Sequence, residues 1–197
     1  MTSTSPRRGS PHRPVSRRVG SRVRGMAPVG ALDELVAAHP VALSDLFGAG
    51  PPVDATRLGG RWAARLLALT PLEPVFLLSR PLVRGASIAF RGAGKHFESG
   101  GTGGRDLVWG RATFRFRCEV APSRVDGAPS LRLSYDGLGN PSVVAPRIDE
   151  LRRVGPTVAL GATWLRSGGT TRPAYWWGLD AIPTPADGED DDGPGIT

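Results

Sequence analysis

The chain has 197 residues, of which 40% are hydrophobic, so it is long enough to bury the core of one ordinary domain. Its single cysteine excludes an intrachain disulfide and a thiolate metal cluster, and no apolar run approaches the roughly 20 residues of a membrane-spanning helix. Its 27 glycines and 19 prolines favour turns and short segments over long helices. We therefore expect one β-rich domain in the cytoplasm, with no membrane span.

The net charge of +7 is divided unevenly along the chain. Residues 1–25 contain seven arginines and no acid, residues 26–180 carry a net charge of +5, and the remainder carries −5. Few large apolar side chains occur at either end, which indicates a disordered Arg-rich tail over 1–25 and a disordered acidic tail over 181–197. The single β-rich domain then covers 26–180.

The first predicted elements are short. Residues 31–39 are predicted as a helix that Pro40 ends, because three apolar residues share one face and two acids lie in the first turn. Residues 62–69 fit either a strand or a helix.

The next stretch is rich in prolines and glycines. Residues 72–79 are apolar on every side, which fits a short buried helix or a crossing segment. Residues 83–90 are predicted as a strand. Residues 92–104 contain six glycines, which predicts a mobile loop.

Strand patterns dominate the second half of the chain. Residues 107–120 alternate apolar and polar side chains and predict one long strand, with residues 131–135 as its antiparallel partner. Residues 146–154 are predicted as a short helix, because acids come early and arginines late. Residues 158–165 and 174–179 predict a hairpin.

These elements amount to six to eight strands and two or three short helices, joined mostly by hairpin-length connections. The predicted fold class is mainly β, an antiparallel barrel or half-barrel with disordered tails. A small barrel of about eight strands can enclose one small ligand, so this fold class favours an interior cavity.

Two resemblances to known families accompany this prediction. Gly60-Arg61-Trp62 resembles the Gly-x-Trp start of lipocalins and other calycins, which implies a barrel that holds a hydrophobic small molecule. The chain departs from secreted lipocalins because it lacks their disulfides, and its first residues do not resemble their export signal. A second resemblance, to uncharacterised bacterial families of no known activity, implies no chemistry. It rests on Tyr135, Asn140-Pro141, Ile148-Asp149-Glu150-Leu151-Arg152 and Gly161.

Aromatic and arginine side chains are the candidates for a ligand-binding wall. Aromatic rings bury apolar ligand surface, and arginines on one strand face hold a carboxylate or phosphate. The same residues also fit an ordinary core and a solvated strand face whose arginines pair with acids. The candidates are Trp109, Phe114, Phe116, Trp164, Tyr175, Trp176, Trp177, Arg115 and Arg117, with Arg105 and Arg111 on the same predicted face as the other arginines.

Three residues are candidates for acid and base catalysis. His96 has an ordinary pKa of about 6.5, and Asp136 is a candidate base with Tyr135 as the proton donor. An exposed loop histidine and a turn at Asp136-Gly137 explain the same residues without catalysis. The sequence has too few histidines and cysteines for an ordinary zinc site and lacks a phosphate-binding loop, so we expect no metal and no cofactor.

The leading prediction is a cytoplasmic protein that binds a small hydrophobic molecule in a barrel cavity, with an anionic group as an option. One alternative is a small cofactor-independent enzyme on the same scaffold, an isomerase, cyclase or hydrolase. A second alternative is association with nucleic acid through the arginine tail, which would be non-specific and salt-dependent. The first two functions need an interior pocket, and the third does not.

Overall fold

The computed structural model describes residues 32–70, 81–86 and 92–181. Eight strands in this part of the chain form a closed antiparallel barrel in sequence order. They are β1 (Gly60–Leu69), β2 (Gly94–Phe97), β3 (Gly103–Val108), β4 (Arg111–Pro122), β5 (Pro129–Ser134), β6 (Arg147–Arg153), β7 (Val158–Ser167) and β8 (Thr170–Ala181). Each strand pairs with the next, and β8 pairs back onto β1. The predicted mainly β fold class is confirmed, as a closed barrel.

Alternation along the strands separates the inside of the barrel from its outside. On β8, Trp177 and Leu179 belong to the interior core, whereas Trp176 lies in a separate outer cluster. The interior core fills much of the barrel with apolar side chains. Its fully buried members include Phe97, Phe116, Leu131, Leu133, Leu151 and Leu179.

Helix α1 (Pro40–Ala49) covers part of the outer wall. Its Leu43 and Phe47 pack with Leu160 of β7 and Trp176 of β8, and the Phe47 and Trp176 rings meet edge to face at 5.6 Å. A second apolar layer therefore lies outside the barrel, and the outward side chains of these strands are buried as well.

The predicted helix over 31–39 is wrong in its bounds. The structure has a 3-10 helix at Leu32–Leu35, and α1 begins at Pro40 instead of ending there. Proline is favoured at the first helical position because its missing N–H would have no helical partner. The ring of His39 caps this helix by accepting a hydrogen bond from the backbone N–H of Val41 at 3.2 Å.

The long strand predicted over 107–120 is two strands, β3 and β4. The chain turns between them at Trp109 and Gly110, where both residues have positive φ angles of 48° and 76°. Two successive positive φ angles are typical of a tight hairpin turn. The apolar and polar alternation that predicted the strand runs from Ala112 to Val120, within β4, and it does not mark where β3 ends.

The predicted helix over 146–154 is strand β6. Five consecutive residues of this strand are buried, because one face points into the barrel and the other lies under α1 and the β4–β5 connection. Its acids and arginines pair with other elements of the fold. Their order along the chain therefore does not reflect a helix dipole.

Several shorter predictions have clear outcomes. Residues 62–69 lie in β1, and residues 92–104 contain β2 and the start of β3 in place of a single loop. Residues 83–86 belong to a helical segment that Pro81 opens, so the strand prediction is wrong there. The predictions for 1–25, 72–79, 87–90 and 182–197 lie outside the described residues.

A bulge in β1 shifts its pairing with β8. Leu66 pairs with Trp177 and Ala68 with Trp176, which leaves Leu67 as the extra residue. As a result Leu66 and Leu69 face an interior pocket, while Leu67 and Ala68 both pack in the outer apolar layer. No helix among the described residues has the length and apolarity required to cross a bilayer.

Candidate functional site

A group of polar side chains from several strands lies inside the barrel, next to the apolar core. Lys95 of β2 and Asp106 of β3 are partners in register, and β6 contributes two further charged residues. We name this group the polar cluster. It consists of Lys95, Asp106, Tyr135, Arg147, Asp149 and Thr163.

Lys95 is the centre of the polar cluster. Its Nζ donates hydrogen bonds to Asp106 Oδ1 at 2.7 Å, to the Tyr135 hydroxyl at 2.6 Å and to Asp149 Oδ2 at 2.9 Å. These three bonds use all three protons of the ammonium group. The Nζ also lies 4.6 Å from the centre of the Trp177 ring, in a cation–π arrangement. The buried charge is thus compensated on every side.

Arg147 supplies a second cation to the polar cluster. It donates a hydrogen bond to Asp106 Oδ2, its Nε lies 3.6 Å from Asp149 Oδ2, and its guanidinium stacks 3.9 Å from the Tyr135 ring centre. Thr163 donates to the other oxygen of Asp149 at 2.7 Å. Two cations therefore balance two carboxylates, and the polar cluster is neutral overall.

The protonation of the polar cluster follows from its burial and its charges. Burial raises the pKa of Asp149, but the charges of Lys95 and Arg147 and the hydrogen bonds from Thr163 and Lys95 outweigh that effect and lower it below 3.8. Burial and the charge of Asp149 hold the pKa of Tyr135 well above 10, although Arg147 opposes them. Tyr135 therefore keeps its proton, and Asp149 stays ionised.

A pocket of about 360 Å³ lies against the polar cluster, which we name the barrel pocket. This volume falls within the approximate range of small-molecule sites, ~300–1,000 Å³. Four charged members of the cluster line one side of it: Lys95, Asp106, Arg147 and Asp149. Its apolar wall includes Ala64, Leu66, Leu69, Phe114, Tyr175 and Trp177. The barrel pocket thus combines an apolar wall with a charged floor.

Two buried donors on the wall of the barrel pocket have no hydrogen-bond acceptor among the described residues. They are Nε1 of Trp177 and Nε of Arg147, whose distance to Asp149 is too long for a hydrogen bond. The Arg147 side chain is 18% exposed, compared with 5% for Lys95, so it is the more accessible cation. Both unpaired nitrogens are themselves fully buried, so the partly exposed guanidinium of Arg147 is the donor group that the pocket presents to a ligand.

The structure divides the predicted wall residues between the inside and the outside of the barrel. Phe114, Tyr175 and Trp177 line the barrel pocket. Phe116 is buried in the interior core, where its ring lies edge to face against Tyr135 at 5.8 Å. Four of the predicted aromatic residues are therefore in the interior.

The other predicted wall residues lie outside the barrel pocket. Trp164 and Trp176 line an outer groove beside α1. Trp109 is 83% exposed in the β3–β4 turn, and Arg115 and Arg117 are exposed on the outer face of β4. The structure thus separates these five side chains from the interior aromatic rings.

The three candidate catalytic residues are not brought together. Tyr135 is fully buried in the polar cluster. Its neighbour Asp136 is exposed and pairs with Arg166 at 2.7 Å. His96 follows Lys95 on β2, and strand alternation directs it to the outer face.

The sequence did not indicate five members of the polar cluster as site residues: Lys95, Asp106, Arg147, Asp149 and Thr163. The available signal was strand alternation, which places residues two positions apart on the same face. Lys95 is two positions from Phe97 and Asp149 is two positions from Leu151, and both Phe97 and Leu151 face the core. Assigning 92–104 to a loop and 146–154 to a helix removed that signal.

Gly161 on β7 makes room for the Trp177 ring in the pocket wall. A Cβ atom at this position would lie 2.4 to 2.8 Å from three ring atoms, which is too close for any contact. We expect Gly161→Ala to displace the indole and to lower the free energy of unfolding by about 1–3 kcal/mol. Urea denaturation and tryptophan fluorescence measure these effects. Gly59→Ala is the matched control, because nothing lies within 4 Å of its added Cβ. Equal losses in the two variants would contradict the packing argument.

Comparisons with known proteins show the class of fold. No family model matches the chain, and no curated protein matches it. It is similar to a solved structure, the crystal structure of a protein from Thermomonospora curvata, with 16% sequence identity and a TM-score of 0.52. The alignment covers 77% of this chain and 93% of that one. At this identity the likeness shows the fold alone, a closed eight-stranded antiparallel barrel.

Proposed function

We propose that the protein binds a small, largely apolar molecule in the barrel pocket, and that the polar end of this molecule is a hydrogen-bond acceptor. The observation that carries the proposal is the pocket of about 360 Å³, with an apolar wall and a charged floor in which Arg147 is partly exposed. Burial of the apolar part of a ligand contributes about 25 cal/mol per Å². The fold is compatible with such a role.

The order of the strands supports a calycin-like assignment as part of this proposal. Eight-stranded up-and-down barrels with an interior site are typical of lipocalins. Gly60-Arg61-Trp62 begins β1, as in the resemblance given by the sequence, and the Trp62 indole donates to the Leu58 carbonyl at 2.7 Å. Cytoplasmic location belongs to the same proposal, since Cys118 has no second cysteine to pair with.

The charges around the barrel pocket favour a carboxylate as the acceptor. The polar cluster is neutral overall, but its charged groups are not equally accessible. The Arg147 side chain is 18% exposed, compared with 9% for Asp106 and 2% for Asp149. An anionic end near Arg147 is therefore better accommodated than an ammonium group.

The geometry supports binding better than catalysis. All three protons of Lys95 are held by oxygen atoms, so this amine offers no free lone pair to a substrate. The hydroxyl of Tyr135 lies within 2.9 Å of both carboxylates and donates to one of them. The other two candidate catalytic residues, His96 and Asp136, lie outside the barrel pocket. A cofactor-independent enzyme therefore remains the second choice.

A larger side chain in the barrel pocket is expected to weaken the binding of a ligand there. Ala64 lines the pocket, and a phenyl ring at this position would occupy much of its volume. With decanoate as the probe, we expect Ala64→Phe to weaken binding by at least about tenfold in isothermal titration calorimetry. Ala63→Phe, on the next residue and the opposite side of β1, is the matched control and should bind decanoate as the unmodified protein does.

The chemistry of the ligand's polar end is tested with a probe of the opposite charge. Decylamine has a chain of the same length, and we expect it to bind at least about tenfold more weakly than decanoate. Native mass spectrometry after mild purification should also reveal a bound small molecule. Absence of saturable binding by both probes, together with identical titrations of the Ala64 and Ala63 variants, would overturn the proposal.

A further inference from the structure

Four basic side chains form a row across the outer face of β1 to β4. Arg61 is paired in register with His96, His96 with Arg105, and Arg105 with Arg115. The neighbouring Lys95 points into the barrel, so strand alternation places this set outside. We name Arg61, His96, Arg105 and Arg115 the arginine row.

The arginine row has no acidic partners among the described residues. Its three arginines form no salt bridge there, whereas other surface arginines do, such as Arg166 with Asp136 at 2.7 Å. The guanidinium of Arg61 donates to the neutral carbonyl of Gly110 at 2.8 Å. Like charges on directly opposite positions of neighbouring strands repel one another. The row therefore presents concentrated positive charge that an anionic partner would relieve.

The last strand of the barrel ends close to the arginine row, and an acidic stretch follows it in the sequence. Strand β8 ends at Ala181, which is paired in register with Trp62, the residue next to Arg61. The chain continues beyond this point for 16 residues. Five acids lie within 187–192: Asp187, Glu189, Asp190, Asp191 and Asp192. We name residues 187–192 the acidic run.

The length of chain is sufficient for contact. The six residues from Ala181 to Asp187 can span up to about 20 Å. From Ala181 on β8 to Arg115 on β4 the chain must cross four strand spacings of about 4.8 Å each, or about 19 Å in total. Every member of the row is therefore within reach of the acidic run.

We propose that the acidic run docks on the arginine row of its own chain, through carboxylate–guanidinium hydrogen bonds. The charges are of opposite sign and similar number, since five acids face the three arginines of the row, with Arg117 as a fourth two residues further along β4. This contact is independent of the barrel pocket. It covers a basic surface that would otherwise attract other polyanions, including nucleic acid.

The direct test places a nitroxide spin label on Gly188→Cys in the full chain. The native Cys118 does not compete for the label, because it is half-buried and burial raises the pKa of its thiol to about 12. At low salt we expect broadening of NMR signals from the outer faces of β1 to β4, and recovery of these signals at about 0.5 M salt. Broadening elsewhere on the barrel, or none, would overturn the proposal.

A binding competition tests the same contact from the other side. In a full-chain variant all five acids of the run become amides, as Asp→Asn and Glu→Gln. With a single-stranded oligothymidine as the probe, this variant should bind at least about tenfold more tightly than the unmodified protein at low salt. Equal affinities would show that the row is not occupied by the acidic run, and would overturn the proposal.

The arginines of residues 1–25 also attract an oligonucleotide, so a further variant isolates the row. Arg105→Gln with Arg115→Gln, added to the five-amide chain, should remove most of the gain in affinity. Retention of the full gain would assign it to residues 1–25 and would overturn the proposal. Arg172→Gln, an exposed arginine of β8 outside the row, is the matched control and should leave the gain unchanged.

Discussion

Lys95→Met is expected to lower the free energy of unfolding by about 3–5 kcal/mol, because it leaves a buried carboxylate without its partner. Lys95 now compensates Asp106 and Asp149, and Arg147 alone would remain to balance the two charges. Methionine keeps most of the apolar stem, so the change removes charge more than volume. Urea denaturation at pH 7 measures the loss.

The pH dependence of the loss of stability in Lys95→Met distinguishes an electrostatic cause from a packing cause. The pKa of Asp149 is lowered in the folded protein, so its stabilising effect is present above about pH 4 and is lost as the pH falls through the folded pKa. Without Lys95, burial would raise this pKa. The difference in free energy of unfolding between Lys95→Met and the unmodified protein should therefore become smaller at acidic pH. A constant difference from pH 7 to pH 3 would show that packing, and not charge, causes the loss.

A double variant completes the test of the polar cluster. Adding Asp149→Leu to Lys95→Met removes one carboxylate together with the ammonium and restores the balance of charge. We expect the double variant to be more stable than Lys95→Met alone, because a well-packed apolar pair can replace a buried ion pair. Arg166→Met breaks an exposed pair and should have a much smaller effect.

Arg152→Met is expected to lower the free energy of unfolding by about 3 kcal/mol or more. The Arg152 guanidinium is almost fully buried outside the barrel and donates two hydrogen bonds of 2.7 Å to the Asp126 carboxylate. It also donates to the Phe47 carbonyl in the last turn of α1 at 3.2 Å and lies over the Phe47 ring. The Phe47 carbonyl also accepts from the Gly50 N–H at 3.1 Å, so the guanidinium adds a second hydrogen bond there, and it reaches the Gly48 carbonyl at 3.4 Å. A cation at this end of α1 also interacts favourably with the helix dipole.

Hydrogen exchange tests whether Arg152 holds the helix in place. In Arg152→Met the backbone amides of α1 should exchange faster than those of the barrel strands. Arg152→Lys keeps the charge but loses the planar guanidinium that binds both Asp126 oxygens. Compared with Arg152→Met, it should recover only a small part of the lost stability. Unchanged protection of α1 in both variants would show that its apolar contacts alone are sufficient.

Strand β4 was predictable from the sequence because one of its faces is exposed to solvent. On β4, Phe114 and Phe116 alternate with Arg115 and Arg117, and the structure keeps this order between inside and outside. The hairpin of β7 and β8 was predictable because both segments are rich in apolar and aromatic residues and because Gly168 and its neighbour mark the turn. The mainly β class followed from these elements.

The polar cluster was not predictable, because charged residues are usually assigned to the surface. Asp149 and Lys95 are buried only because other strands, distant in sequence, supply the opposite charges. Strand β6 was misread since both of its faces are covered, one by the barrel and the other partly through Arg152. A single sequence records none of these pairings.

The bulge at Leu67 gives the outer apolar layer one more leucine than a regular strand would supply. Without this residue, Leu66, Ala68 and Leu69 would pair with Trp177, Trp176 and Tyr175 in an unbroken ladder, and each would keep its present side of the sheet. The lining of the cavity therefore does not depend on the extra residue. A relative whose β1 is shorter by this one position can keep the same interior and lose only a buried contact of the outer layer.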